Sequence, residues 1–220
     1  MRYDITNIAI EDYINQLMPP REPALAQLEE RSRQRGLSLV GPVQGQFLYL
    51  MALSSKARRA LEVGITTGYA AMWLLLALKQ NGGHLTGVER SVERVELAGE
   101  VIAQAGLGEL ATIHNADWTE LLPTFARGSF DFIFLDILRS ISAAEHTDEA
   151  LSLCVDLLEP GGLLLVDNVL CSAQVLEDEA DAQPIVRGIQ HFNKAIMVHP
   201  QLESVILPLR DGVAICRKRS

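Results

Sequence analysis

The sequence is poor in cysteine, in basic charge and in long apolar runs. Cys154, Cys171 and Cys216 are its three cysteines, far apart and with no CxxC pair. So odd and sparse a set excludes a disulfide framework and reads as free, buried thiols in a reducing compartment. The longest apolar run, residues 70–78, is well short of a membrane span. The first seventeen residues mix acids into their apolar positions and do not build a signal peptide. A cytoplasmic protein without a membrane partner is expected. Lys and Arg number 19 against 28 Asp and Glu, a formal charge of −9. With no basic excess to neutralise phosphates, broad binding to nucleic acid or anionic membrane is disfavoured, although a local basic patch is still allowed.

What is present is ordered by period. Apolar spacing over residues 10–53 is helical; Pro19, Pro20 and Pro23 part a first helix from a second, and Gly41-Pro42 a second from a third. Short apolar runs then follow at 60–63, 84–88, 111–114, 130–135 and 163–166, separated by helical stretches such as 69–79 and 92–105. That alternation predicts βαβ units and a parallel sheet. Runs at 202–208 and 213–217, joined through Asp211-Gly212, predict a closing antiparallel hairpin. With no linker, repeat or low-complexity tract, one α/β domain over 1–220 is expected, with a helical N-terminal extension over 1–55.

Two clusters carry chemistry. Glu62-Val63-Gly64-Ile65-Thr66-Thr67-Gly68 follows the first strand and opens a helix. Glycines at such a junction let a ligand approach the backbone and the free N–H groups of the helix start. The G-x-x-x-G spacing is not the dinucleotide G-x-G-x-x-G, which places a dehydrogenase last. Glu62 would repel a pyrophosphate and suits a cationic or zwitterionic ligand. Glu89, about 20 residues on, stands where a ribose-binding acid is expected. The second cluster is of oxygens: Phe130–Leu135 ends in Asp136, and the run ending at Val166 leads into Asp167 and Asn168. On adjacent parallel strands the two carboxylates would repel unless a proton or a cation lay between them. Two carboxylates and an amide suit Mg²⁺, Mn²⁺ or Ca²⁺ and are a poor match for Zn²⁺ or Cu²⁺. The bland alternative is that all three merely cap helices.

The segments LEVGITTGYA, TGVER, NADWTELL, SFDFIFLD, LEPGGLLLVDNVL and FNKAIMVHP…ILPLRDGVAICRK resemble the cation-dependent class I O-methyltransferases, the catechol and caffeoyl-CoA enzymes and their bacterial relatives. The likeness runs from about Gly41 to the C-terminus. It implies a Rossmann-like fold with a mostly parallel seven-stranded sheet and an antiparallel C-terminal edge hairpin. It implies S-adenosylmethionine as cofactor, with Glu62, Gly64, Thr66, Gly68 and Ala70 around its methionine part, Glu89 on the ribose and Ala116-Asp117 beside the adenine. Val40 would close over it, and Asp136 would lie at its edge. Asp136, Asp167 and Asn168 match the family's metal ligands, with Mg²⁺ expected first and Mn²⁺ or Ca²⁺ as alternatives. The metal would chelate acceptor oxygens and acidify the attacking hydroxyl. Small relatives are homodimers, which the resemblance extends to this chain.

Three departures bear on the chemistry. Where the family has a Lys three residues after its first metal Asp, this chain has Arg139, a poor general base but a possible stabiliser of a phenolate. The common Ser after Gly-Tyr is Ala70. The segment 138–149 is long and lacks the usual Tyr. With Asp136 and Arg139 as the catalytic candidates, the expected activity is O-methylation of a small catechol-type phenol. Methylation of a hydroxylated wobble uridine in tRNA is the second reading, opposed by the net charge. A cofactor-binding protein with lost catalysis is the third. His114, His146 and His199 are candidate bases, only His146 being near the metal segment, and a solvent-facing role is preferred for it. Trp73 is expected in the core, while Trp118, next to Asp117, is read equally as touching the adenine or standing apart from it.

Overall fold

The computed structural model describes residues 5–35, 38–141 and 144–220. It divides into two compact units, Ile8–Trp118 and Thr119–Ser220, the latter also taking in the residues before Ile8.

The first unit begins with three helices, α1 (Ile8–Leu17), α2 (Pro23–Arg35) and α3 (Gly41–Ser54). The expected punctuation holds: α2 starts at Pro23, and Gly41-Pro42 forms the first turn of α3 behind Val40 at its N-cap. The period then changes to β1 (Arg59–Val63), α4 (Tyr69–Asn81), β2 (His84–Glu89), α5 (Val92–Gln104) and β3 (Ala111–Asn115). β2 pairs in parallel with β1 on one side and β3 on the other, with Val63 opposite Val88 and Glu89 opposite Asn115. Right-handed crossovers demand this helix after each strand. α4 is apolar almost all round, and every residue from Tyr69 to Leu75 is buried. That suits a helix covered on several sides and no amphipathic surface helix. α3 packs on it closely: a Cβ at Gly45 would fall 2.2 Å from the Trp73 indole nitrogen, so only glycine fits. Trp73 is core, as the sequence predicts.

The second unit continues with α6 (Trp118–Leu121), β4 (Phe130–Leu135), α7 (Ala144–Leu157), β5 (Leu158–Asp167), α8 (Pro184–Val198), β6 (Leu202–Leu207) and β7 (Val213–Lys218). β4 and β5 run in parallel, with Leu135 opposite Val166. β7 is antiparallel to both β5 and β6, which is the expected edge hairpin. β5 begins five residues before the apolar run that marks it. Phe130 pairs with Leu158 but Phe132 pairs with Leu163, so Pro160-Gly161-Gly162 bulges out of the ladder. Proline cannot donate to a ladder, and this hides the first half of the strand from a periodicity reading.

Of the 138–149 segment, Leu138–Ser140 is a short 3₁₀ turn and α7 starts at Ala144; residues 142 and 143 lie outside the described residues. No described helix is long and apolar enough to cross a membrane.

Candidate functional site

In the first unit the glycine loop is built by backbone signs that ordinary residues avoid. Gly64 (φ +93°), Thr66 (φ +52°) and Gly68 (φ +79°) turn the chain from the end of β1 into α4, with Gly68 as the left-handed N-cap. At Gly68 a Cβ would also press to 3.1 Å from the Ala98 backbone, so glycine is required twice over. Glu62 ends up fully enclosed beneath this loop, 1 % exposed. Glu89 lies at the matching end of β2 and is also buried. It is no solvated cap: its carboxylate accepts from the Thr66 N–H at 3.2 Å and from the Ser91 N–H at 2.9 Å, tying the loop to the start of α5. Arg94 stands 3.8 Å from it at the surface. Ala116 donates its N–H to the Glu89 carbonyl at 3.2 Å, which brings Ala116-Asp117 to the same strand end. Glu62, Gly64, Thr66, Gly68, Ala70, Glu89, Ala116 and Asp117 therefore share the carboxyl ends of β1 to β3, where open parallel sheets bind ligands.

Two features of this region are not readable from the motif. The Thr67 hydroxyl is buried in the loop and has no hydrogen-bond partner among the described residues. A buried orphan hydroxyl is costly and fits a loop completed by a polar ligand. Second, Tyr69, 2 % exposed, donates from its phenol to Glu29 of α2 at 2.8 Å, and Arg21 pairs with the same carboxylate at 2.8 Å. Burial first, and then the Glu29 carboxylate, push the Tyr69 phenol well above its ordinary value. The residue after the second glycine thus anchors the N-terminal helices. Forty residues separate the partners, which is why spacing gave no signal for it.

In the second unit, Asp136 and Asp167 follow Leu135 and Val166, which are opposite each other in the parallel ladder, so both carboxylates leave the sheet at one end. The 3₁₀ turns that follow are headed by Ile137 and Leu170, without a side-chain cap bond. Asp167 is buried and accepts the Asn168 N–H at 2.8 Å. Asn168 is left-handed, φ +61°, and its Nδ2 donates to Asp211 Oδ2 at 3.2 Å. A carboxylate carries no proton, so the atom facing it must be the amide nitrogen, and the carboxamide oxygen is left for another partner. Carboxylate and amide oxygens are hard donors of the kind that suits Mg²⁺ or Mn²⁺. Among the described residues no group of three His, Cys, Asp or Glu is arranged for a metal, so a centre here needs the amide.

Asp211, in the β6–β7 turn, was expected only as a hairpin residue. It also accepts from Arg139 at 3.0 Å and, through a short contact, from the backbone N–H of Ser172. Arg139 donates to the Ser172 hydroxyl as well, at 3.2 Å. The chain after β5 is forced: Cys171, Ser172 and Ala173 are left-handed in succession, at φ +48°, +53° and +64°. Arg139 is therefore paired and half exposed.

The other candidates are dispersed. His146 is exposed on α7, not in a loop; His114 lies in β3, and His199 ends α8. Trp118 is half-buried at the start of α6. The Lys218 ammonium donates to the Val155 and Leu158 carbonyls at 2.6 and 2.7 Å.

Known proteins resemble this chain over most of its length. A family model described as O-methyltransferase matches residues 19–219. A catechol O-methyltransferase of Niastella koreensis is 30 % identical over 217 residues, covering 94 % of this chain and 95 % of the relative. A caffeoyl-CoA O-methyltransferase of Petroselinum crispum is 30 % identical over 219 residues, covering 91 % and 86 %. Among solved structures, an O-methyltransferase from Bacillus cereus in complex with SAH superposes with a TM-score of 0.83 at 25 % identity, covering 96 % of this chain and 97 % of that one. The O-methyltransferase TomG of Streptomyces achromogenes in complex with SAM gives 0.80 at 25 % identity, covering 96 % of each.

Proposed function

The chain belongs to the O-methyltransferase family and is a methyltransferase dependent on S-adenosylmethionine; on that premise we propose that it is a cytoplasmic enzyme that methylates one hydroxyl of a small catechol-type phenol with the help of a divalent cation. The observation that carries this reading is the amide of Asn168, whose nitrogen is committed to Asp211; its oxygen would then be the third hard donor beside the carboxylates of Asp136 and Asp167.

The glycine loop, Glu62 and Glu89 would hold S-adenosylmethionine, with Val40, Ala70, Ala116 and Asp117 around it. When bound it supplies an electrophilic methyl on a sulfonium, a cation that the enclosed Glu62 carboxylate favours. Asp136, Asp167 and Asn168 would hold Mg²⁺, which when bound lowers the pKa of a coordinated hydroxyl. A guanidinium is a poor general base. Arg139 would therefore offer positive charge to the phenolate and leave the acceptor's proton to another group or to water. The remaining work is orientation of two reactants, which can supply several kcal/mol of the barrier.

Methyl transfer to a panel of catechols and caffeoyl esters, run with Mg²⁺ and with EDTA, tests the reading. Turnover that EDTA abolishes is expected. Methylation of hydroxyuridine-containing tRNA alone would replace the acceptor, and cofactor binding without turnover on any acceptor would favour a protein that has lost catalysis.

A homodimer belongs to the same proposal. Ile10, Tyr13, Ile14 and Leu17 fall at helical spacing on α1 and are 58, 61, 40 and 66 % exposed, a stripe that a second copy would cover. Sedimentation at micromolar concentration should give a dimer, and Tyr13→Glu with Leu17→Glu a monomer.

A further inference from the structure

We propose that Asp211 is a positioning residue for the cation centre: it fixes which end of the Asn168 carboxamide faces Asp136 and Asp167, and it holds Arg139 at a set place beside them. This rests on the metal-dependent reading above.

The argument is one of valence. The Asp211 carboxylate has no donor, and its two oxygens are both taken. Oδ1 accepts the Ser172 N–H; Oδ2 accepts Arg139 at 3.0 Å and the Asn168 amide at 3.2 Å. Three of its roughly four acceptor positions are thus filled by hydrogen-bond donors, so its part at the centre is to orient its neighbours. What it does is select a rotamer. An Asn side chain presents an oxygen or an NH₂ group from nearly the same volume, and only a neighbour of fixed polarity decides between them. Without Asp211 the flipped amide, with its NH₂ toward two carboxylates, would be favoured whenever the cation left, and rebinding would have to reverse it.

Asp211 is itself held firmly. Its carbonyl accepts the Leu170 N–H at 2.9 Å and the Gly212 carbonyl accepts the Val169 N–H at 3.3 Å, so the β6–β7 turn is stitched to the chain that follows Asn168. Asn193 of α8 donates to the Val169 carbonyl at 2.6 Å, and Gln190 to the carbonyls of Val175 and Glu177 at 3.1 and 2.8 Å. The left-handed run Cys171–Ala173 would not persist without such over-determination. Arg139 is the third partner. Its Nη1 donates both to Asp211 Oδ2 at 3.0 Å and to the Ser172 hydroxyl at 3.2 Å, which joins the β6–β7 turn to the chain after β5.

Outer partners that orient metal ligands are worth about 10- to 100-fold in metal affinity. Mn²⁺ titration followed by electron paramagnetic resonance, on the full chain, reads this directly. Asp211→Ala is expected to weaken Mn²⁺ binding by about 10- to 100-fold, and Asp211→Asn, which keeps one acceptor oxygen, by less. SAH affinity by calorimetry without metal should stay within about twofold, and turnover of Asp211→Asn at saturating Mn²⁺ should recover toward wild type, because a positioning residue is compensated by mass action. If Asp211→Ala does not fold, Asp211→Asn decides. Folded variants that bind Mn²⁺ as tightly as wild type would overturn the inference while leaving the metal reading intact. A wild-type protein that binds no Mn²⁺ would overturn both.

Discussion

At the scale of single residues, the cofactor loop depends on a glycine with two independent reasons to be one. Gly68→Ala combines a left-handed Cβ, worth about 1–2 kcal/mol, with a contact at 3.1 Å on Ala98. Urea unfolding should show a loss of about 2 kcal/mol, and calorimetry a weaker SAH affinity; unchanged affinity with lowered stability would place the ligand away from the loop. Residues adjacent in a motif were legible here. Glu62, Gly64, Gly68 and Glu89 were placed by spacing alone, because a βαβ unit converts sequence distance into a fixed position at strand ends. Asp211 was not. Its partners Asn168 and Arg139 lie 43 and 72 residues away, and Asp-Gly before an apolar run reads as turn chemistry and nothing more.

At the scale of elements, α2 is fastened to α4 through one phenol. Tyr69→Phe removes the donor to Glu29, leaving Arg21 as the remaining partner of that carboxylate. A hydrogen bond to a charged group is worth about 1.5–3 kcal/mol. Tyr69→Phe should lose about 1–2 kcal/mol and speed amide exchange in α2 before α3. Exchange unchanged in α2 would show that the contact holds nothing. Most element bounds were visible in the sequence, since apolar period separates α4 and α5 from the strands between them. β5 was half hidden, because Pro160 and two glycines interrupt the run exactly where the ladder bulges, and periodicity reports side-chain burial and not pairing.

At the scale of the whole molecule, the three thiols are buried, as their sparse placement suggested. Burial raises Cys154 to about 12 and Cys216 to about 11, from an ordinary value near 9, and also raises Cys171 and Tyr69. Above pH 9 the unfolded chain therefore gives up protons that the folded chain keeps, and stability falls as pH rises from there toward 12. The urea midpoint should be flat from pH 7 to 8.5 and then decline. Cys154→Ala with Cys216→Ala should flatten the decline, and an unaltered slope would assign it to other groups. The α/β alternation and the edge hairpin were readable across the chain, whereas helix-to-helix anchoring and the stitching of loops were not, because these are set by tertiary contact alone.

The left-handed run after β5 also bears on how the gene can change. Non-glycine residues there cost about 1–2 kcal/mol each, and glycine would relieve this against about 0.5–1 kcal/mol of lost chain entropy. Alanine and cysteine codons lie one base from glycine. A population selected for heat resistance alone should drift to glycine at Cys171 and Ala173. Selection for turnover should keep the stiffer residues that present Ser172 to Asp211, so the two pressures pull the same codons apart.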